Sequence, residues 1–176
     1  MKRNLITLPL AWLLLAGCMP DLSSERPPER IYWLEAAAVA DPPPVSLRLD
    51  VVPGLDSDRI WVLEPDQRLN FYAGAYWPDN LQPLLESLLA RALNAEAQQP
   101  EVSILIERFF AVSQGEAAAP RIELAATIQS DAGRCRIERV ERAETARLRD
   151  IVAGHQALLN ALTLAVAEFG RTGRCP

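Results

Sequence analysis

Few residues in this 176-residue chain are of the types that carry catalytic or metal chemistry. It has one histidine, His155, and three cysteines, Cys18, Cys135 and Cys175. The sequence holds no Gly-x-Ser-x-Gly elbow, no glycine-rich phosphate loop, no histidine-rich metal motif and no closely spaced cysteine pair. His155 falls on the apolar stripe of a predicted helix, which favours packing over proton transfer. The pattern therefore predicts a non-enzymatic protein with no metal site and no dissociable cofactor.

Cys18 is the exception, because it ends the stretch Leu15-Ala16-Gly17-Cys18 directly after a mostly apolar run over residues 5–15. Lys2 and Arg3 precede that run. Its length suits a signal-peptide core and is short of the ~20 residues that a membrane-spanning helix needs. The pattern resembles the bacterial lipoprotein signal with its lipobox. The resemblance implies cleavage after residue 17, acylation of Cys18 with chains such as palmitate, and a lipid-anchored periplasmic domain. An ordinary secretory signal, or a membrane anchor, is the alternative.

This signal would decide where the domain works and what its other cysteines do. In enterobacterial lipoproteins an aspartate directly after the lipidated cysteine favours the inner membrane, and here that residue is Met19. We therefore expect the periplasmic face of the outer membrane, with the inner membrane as the alternative. In this oxidising compartment Cys135 and Cys175 are expected to form a disulfide, with two buried free thiols as the alternative.

Charge and composition point to one acidic domain behind a polar tether. Removing residues 1–17 takes away Lys2 and Arg3 but no acid, so the net charge falls from −5 to −7. No basic patch indicates a nucleic-acid partner. The segment 18–29 is mostly polar and ends with Pro27, Pro28 and Glu29, so we expect a flexible tether there. Residues 30–176 then suffice for a single domain.

Apolar periodicity predicts, in order, a short edge strand, a second strand, a hairpin, a helix, three strands and a helix. Strands are predicted at 31–34, 45–52, 59–63, 68–72, 101–112, 121–129 and 134–141, and helices at about 79–96 and 145–169. Each helix carries a wide apolar stripe. The first helix is expected to cross between two parallel strands, whereas short loops predict antiparallel pairing among the last three. The result is an α/β (α+β) fold, with a mixed β-sheet packed against two long amphipathic helices on one face.

Three stretches carry a resemblance to a known family. They are Pro53-Gly54-Leu55-Asp56-Ser57-Asp58-Arg59-Ile60, Arg68-Leu69-Asn70 and Tyr76-Trp77-Pro78-Asp79-Asn80-Leu81. Together with the lipobox they resemble the ABC-type transport auxiliary lipoproteins, the PqiC-like group, over nearly all of the mature chain. Pro78 departs from the family pattern after the tryptophan. The resemblance implies an anticodon-binding-domain-like sandwich and a role in lipid transport. It implies an MCE-domain protein, an inner-membrane permease and its ATPase as partners.

The predicted hairpin over 55–72, together with the loop that follows it, supplies the candidate partner-binding residues. They are Asp56, Arg59, Arg68, Tyr72 and Trp77. Trp61, Tyr72, Tyr76 and Trp77 occur near Arg59 and Arg68, and aromatic side chains beside arginines are typical of protein interfaces. For Trp61 and Trp77, core packing is the alternative. We therefore expect a non-enzymatic adaptor in a lipid-transport system. The alternative is a periplasmic carrier that holds an acyl chain between helices and sheet, which needs a cavity of ~300 Å³ or more. The dense Leu, Ile and Val content favours the adaptor.

Overall fold

The computed structural model describes residues 28–115 and 118–176. The predicted signal peptide, Cys18 and the tether up to residue 27 lie outside the described residues. The elements of the described part are β1 (Arg30–Ile31), β2 (Ser46–Val51), β3 (Arg59–Leu63), β4 (Leu69–Tyr76), α1 (Leu81–Leu93), β5 (Glu101–Val112), β6 (Arg121–Ser130), β7 (Gly133–Arg142) and α2 (Leu148–Thr172).

These seven strands form one mixed sheet around β5. The order is β1-β4-β3-β5-β6-β7, and β2 also pairs with β5. The first half of β5 pairs in parallel with β2 and its last two residues pair in parallel with β3. On its other side β5 pairs antiparallel with β6, and β6 with β7. The predicted α/β architecture, a mixed sheet with two helices, is confirmed.

The connection through α1 differs from the prediction. α1 follows β4, and β4 runs antiparallel to β3, which is itself parallel to β5. The two strands that flank α1 therefore run in opposite directions, and the expectation that they are parallel is wrong. The hairpin of β3 and β4 reverses the chain once before the helix, so the parallel neighbours of β5 are β2 and β3.

The core lies between the helices and one face of the sheet. α1 contacts β2, α2 contacts β5, β6 and β7, and the two helices contact each other. All seven apolar residues of the predicted α1 stripe are buried: Leu81, Leu84, Leu85, Leu88, Leu89, Ala92 and Leu93. α2 is long and apolar enough to span a membrane, but its stripe is packed in this core. The opposite face of the sheet, which we call the outer face, is left open by both helices.

The segment 32–44, which we call the strap, runs from β1 to β2 across the helices. Glu35 donates its backbone N–H to Gln156 Oε1 of α2 at 2.8 Å, and Val39 donates to Ala92 O of α1 at 3.2 Å. Leu34, within the strap, is buried. The strap thus ties the start of the domain to both helices by hydrogen bonds that its backbone N–H groups donate.

A disulfide ties down the other end of the chain. The structure joins Cys135 of β7 to Cys175, with their Cα atoms 5.2 Å apart, inside the usual range for disulfides. Gly173 ends α2 with φ +66°, a left-handed conformation that glycine adopts without strain. The chain then turns back toward β7.

Candidate functional site

The turn of the β3–β4 hairpin sets the register between the two strands. Glu64 N donates to Arg68 O and Gln67 N donates to Glu64 O, both at 2.9 Å, which closes a short turn. Trp61 therefore lies opposite Phe71. In a regular antiparallel pair, Arg59 would then lie opposite Ala73, because each of them is two residues further from the turn.

A bulge in β4 changes that register. Arg59 pairs with Tyr76, so three more residues of β4 than of β3 lie between the two pairs. Gly74 has φ +71°, which lets the backbone make this excursion. Because the shift is odd, it turns Ala75 toward the core and Tyr76 toward the outer face.

The bulge thereby places Phe71 and Tyr76 on both sides of Arg59. The Arg59 guanidinium carbon lies 4.8 Å from the centre of the Phe71 ring and 4.4 Å from that of Tyr76. Both distances are within cation–π range, and such contacts stabilise by ~0.5–1 kcal/mol at exposed sites. Asp58 Oδ1 lies 3.5 Å from Arg59 Nε and pairs with the guanidinium.

Trp61 extends this cluster on the same face. Its ring meets Phe71 edge-on, with centroids 6.0 Å apart and an interplanar angle of 82°. Its indole N–H donates to Leu55 O at 3.2 Å, which fixes the ring against the preceding loop. We call Arg59, Trp61, Phe71 and Tyr76 the hairpin platform. Phe71, at 41% exposure, is its most open aromatic ring and offers apolar surface beside a cation.

Two of the predicted site residues serve the fold instead. Asp56 Oδ1 accepts the backbone N–H of Gln82 at 3.0 Å and so caps the start of α1 from a distant loop. Asn80, at the N-cap position, makes no side-chain cap. Trp77 is 3% exposed and packs against the His155 ring at 5.3 Å. Neither residue belongs to the hairpin platform.

Arg68 and Tyr72 also lie apart from it. Arg68 is at the hairpin tip, where its Nε donates to Asp66 Oδ2 at 2.6 Å and the pair stays solvent-exposed. Tyr72 is half-buried on the side of β4 opposite Phe71. Burial, reinforced by the nearby Glu64 carboxylate, raises the pKa of Tyr72 to about 12. Of the five predicted residues, the structure brings only Arg59 into the platform.

Trp61 and Tyr76, two of the aromatic residues that the sequence analysis singled out beside the arginines, lie in the platform, whereas Phe71 was missed as a site residue. The pairing of Trp61 with Phe71 follows from the turn at residues 64–68, so the signal for Phe71 was present in the sequence. The outward position of Tyr76 depends on the bulge, for which Gly74 is the one local indication.

The rest of the outer face carries charge rather than aromatic surface. Arg108 pairs with Glu123 at 3.1 Å and with Glu138 at 2.9 Å, while Arg136 pairs with Glu138 at 3.2 Å and also with Glu107. This network runs across β5, β6 and β7. Because each cation is matched by acids, this half of the face is electrostatically satisfied. The hairpin platform is thus the aromatic part of the outer face, which elsewhere carries this ion-pair network and the exposed side chains of Leu105 and Val140.

His155 occupies the core as predicted for a packing residue. Its ring lies between Trp77 and Phe109, 5.3 and 4.9 Å from their centroids. Nδ1 donates to Ile151 O at 3.0 Å, and Nε2 has no partner among the described residues. Burial lowers the pKa of His155 to about 4, the Ile151 hydrogen bond opposing that effect in part. In residues 28–115 and 118–176, no group of three or more His, Cys, Asp or Glu side chains is placed to bind a metal.

Comparison with known proteins identifies the fold. Protein XCC0632 from Xanthomonas campestris, a crystal structure described as DUF330, matches with a TM-score of 0.67 and 19% identity over 82% of this chain and 96% of its own. The crystal structure of an uncharacterised protein matches with a TM-score of 0.63 and 12% identity over 80% and 97%. No family model and no curated protein matches this chain. Because the sequence identities are this low, these matches show that the folds are alike and nothing more.

Proposed function

We propose that this chain is a lipid-anchored periplasmic protein, a non-enzymatic auxiliary component of an ABC/MCE-type lipid-transport system in a Gram-negative envelope. The lipobox ending at Cys18 supports the anchor, and the family resemblance supports the transport system. The observation that carries the binding role is the hairpin platform. It is an arginine held between two aromatic rings on a face that the helices of this chain leave uncovered.

The platform has the residue types that dominate protein interfaces, and its arginine is held in place before any partner binds. Aromatic residues and arginine dominate the binding energy of interfaces, and loss of such a central residue costs ~2 kcal/mol or more. The two rings hold the Arg59 side chain in place before binding, so less side-chain entropy is lost when a partner carboxylate pairs with it. We infer that the platform contacts the MCE-domain partner through Arg59 and the open ring of Phe71.

The carrier alternative requires space for an acyl chain. Between α2 and the sheet, Ile151, Leu158, Leu162 and Val166 are fully buried, which leaves that layer filled. A recess of about 560 Å³ lies at the end of the sheet, lined by Phe169 but also by charged and backbone polar groups. It is large enough for a chain and much of its lining is apolar, but it is a half-open surface cleft and does not lie between the helices and the sheet. Native mass spectrometry of delipidated mature protein tests this alternative, since a stoichiometric bound phospholipid would support the carrier.

The binding role is tested by comparing two arginines of the same hairpin. Arg59→Glu and Phe71→Ala are expected to weaken capture of the cognate MCE-domain protein by about 30-fold or more, the equivalent of ~2 kcal/mol. Arg68→Glu is the matched control, because Arg68 lies outside the platform and pairs with Asp66. It should change capture by no more than about twofold, as rim charges do.

Melting temperatures separate a binding defect from a folding defect. All three variants should unfold within a few degrees of wild type, because none of the side chains is buried in the core. Equal capture by Arg59→Glu and wild type, with both proteins folded, would refute the platform as the partner surface. A loss confined to Arg68→Glu would move that surface to the hairpin tip.

A further inference from the structure

The first described residues hold two large apolar side chains in solvent. Ile31 is 61% and Trp33 71% exposed, whereas tryptophan is on average a highly buried residue. They alternate with Tyr32, which packs partly against the core, and with Leu34, which is buried. The segment is extended, so Ile31 and Trp33 point to the same side, away from the core.

This exposure is imposed by the fold and is not that of a loose chain end. Tyr32 N donates to Tyr76 O of β4 at 2.8 Å, and Glu35 N donates to Gln156 Oε1 of α2 at 2.8 Å. The backbone is therefore fixed on both sides of Trp33. Turning the indole inward would require breaking these hydrogen bonds.

The position of these residues along the chain decides what they can meet. The segment between Cys18 and Arg30 is the predicted tether, which can reach at most ~40 Å when fully extended and has an average span of ~20 Å. β1 forms one edge of the sheet and β7 the opposite edge. At ~4.8 Å per strand the two edges are ~25 Å apart. An acyl chain on Cys18 would thus hold the β1 edge closer to the bilayer than the β7 edge.

We propose that Ile31 and Trp33 contact the headgroup region of the bilayer in which the protein is anchored. This inference rests on the lipidation of Cys18 proposed above. An indole ring suits that region, because its apolar body and polar N–H match the boundary between acyl chains and headgroups. Trp33 also lines a shallow recess of about 440 Å³ together with Arg91, whose guanidinium can pair with a lipid phosphate.

The contact depends on the tether. Two side chains bind a bilayer weakly, and the net charge of the mature domain opposes attraction to anionic lipids. A short tether raises the local concentration of the second contact to the millimolar range, so a weak contact becomes populated. We therefore expect the lipidated protein to make the contact and a soluble form without the anchor to make none.

Tryptophan fluorescence reports the contact directly. The mature lipidated protein is placed in vesicles of phosphatidylethanolamine and phosphatidylglycerol, with or without bromine on the acyl chains. The mature sequence has three tryptophans, of which Trp77 is buried and Trp61 lies in the platform. The emission of wild type should be blue-shifted in vesicles relative to the soluble form without the anchor, and brominated lipid should quench that shifted emission. Trp33→Phe should lose both the quenched and the shifted component.

A position control uses the far edge of the sheet. Val140 of β7 is 57% exposed, similar to Ile31. Val140→Trp in the Trp33→Phe background should give an emission that brominated lipid does not quench. Quenching at residue 140 equal to that at residue 33 would overturn the proposed orientation.

The outcomes distinguish this inference from the proposed function. Intact mass of the mature protein and its flotation with vesicles report acylation of Cys18. Protein that carries no acyl chain would overturn both proposals. Acylated protein that floats, but whose Trp33 emission is unquenched, would overturn the membrane contact alone and leave the proposed function standing.

Discussion

The buried histidine makes the stability of this domain depend on pH in a defined window. His155 is fully buried, its Nε2 has no partner among the described residues, and its folded pKa is lowered from 6.5 to about 4. The unfolded chain therefore binds a proton between these two values that the folded protein does not. The contribution of the neutral histidine to the free energy of unfolding is fully present well above pH 6.5. It is lost progressively as the pH falls from 6.5 toward about 4.

The size of the effect follows from the two pKa values. Near pH 5 the unfolded state carries about 0.9 more protons at this site, so the free energy of unfolding changes by ~1.2 kcal/mol per pH unit. Between pH 7 and pH 5 the loss amounts to ~2 kcal/mol. This is a large part of the ~5–15 kcal/mol that usually separates folded from unfolded domains.

Urea unfolding at several pH values measures this loss. The matched variant is His155→Leu, which keeps an apolar side chain of similar size between Trp77 and Phe109 and cannot titrate. Carboxylates contribute equally to both proteins, so their difference isolates the histidine. Wild type should lose ~2 kcal/mol more than the variant between pH 7 and pH 5. Parallel pH profiles for the two proteins would refute the reasoning, whatever their absolute stabilities.

Three further variants test the anchor, the disulfide and the helix cap. Cys18→Ala should leave a soluble or uncleaved protein without acyl label, which fractionation and labelling check; unchanged membrane association would contradict the lipobox. A soluble form starting after Cys18 should show no free thiol when unfolded without reductant, and Cys135→Ser should lower stability by ~4 kcal/mol on the chain-entropy model for a separation of 40 residues. Asp56→Ala should cost ~1 kcal/mol, because it frees the Gln82 N–H, without altering partner capture; normal stability with lost capture would restore Asp56 to the partner surface.

Two of the misplaced site residues, Asp56 and Trp77, depended on contacts between distant parts of the chain. Asp56 is 26 residues from the Gln82 amide that it caps, and its neighbours in sequence carry no sign of that role. Trp77 and Phe71 are both aromatic residues of the same region, yet one is buried beside His155 and the other is open. The bulge at Gly74 reverses which face β4 presents after Tyr72, and propensity alone does not predict such a shift.

The sequence by itself determined the elements whose signals are local. The alternation in residues 121–129 and the apolar stripe of α1 follow from periods of 2 and 3.6 residues, which neighbouring side chains impose without help from the rest of the fold. The lipobox-like pattern ending at Cys18 is likewise contiguous, and the acylation that it indicates stays a prediction. Only the tertiary structure decided that β3 rather than β4 lies beside β5, and that Arg59 stands between Phe71 and Tyr76. The physical reason is that strand neighbours and bulges are selected by how the whole sheet packs against the helices, and many local sequences are compatible with each choice.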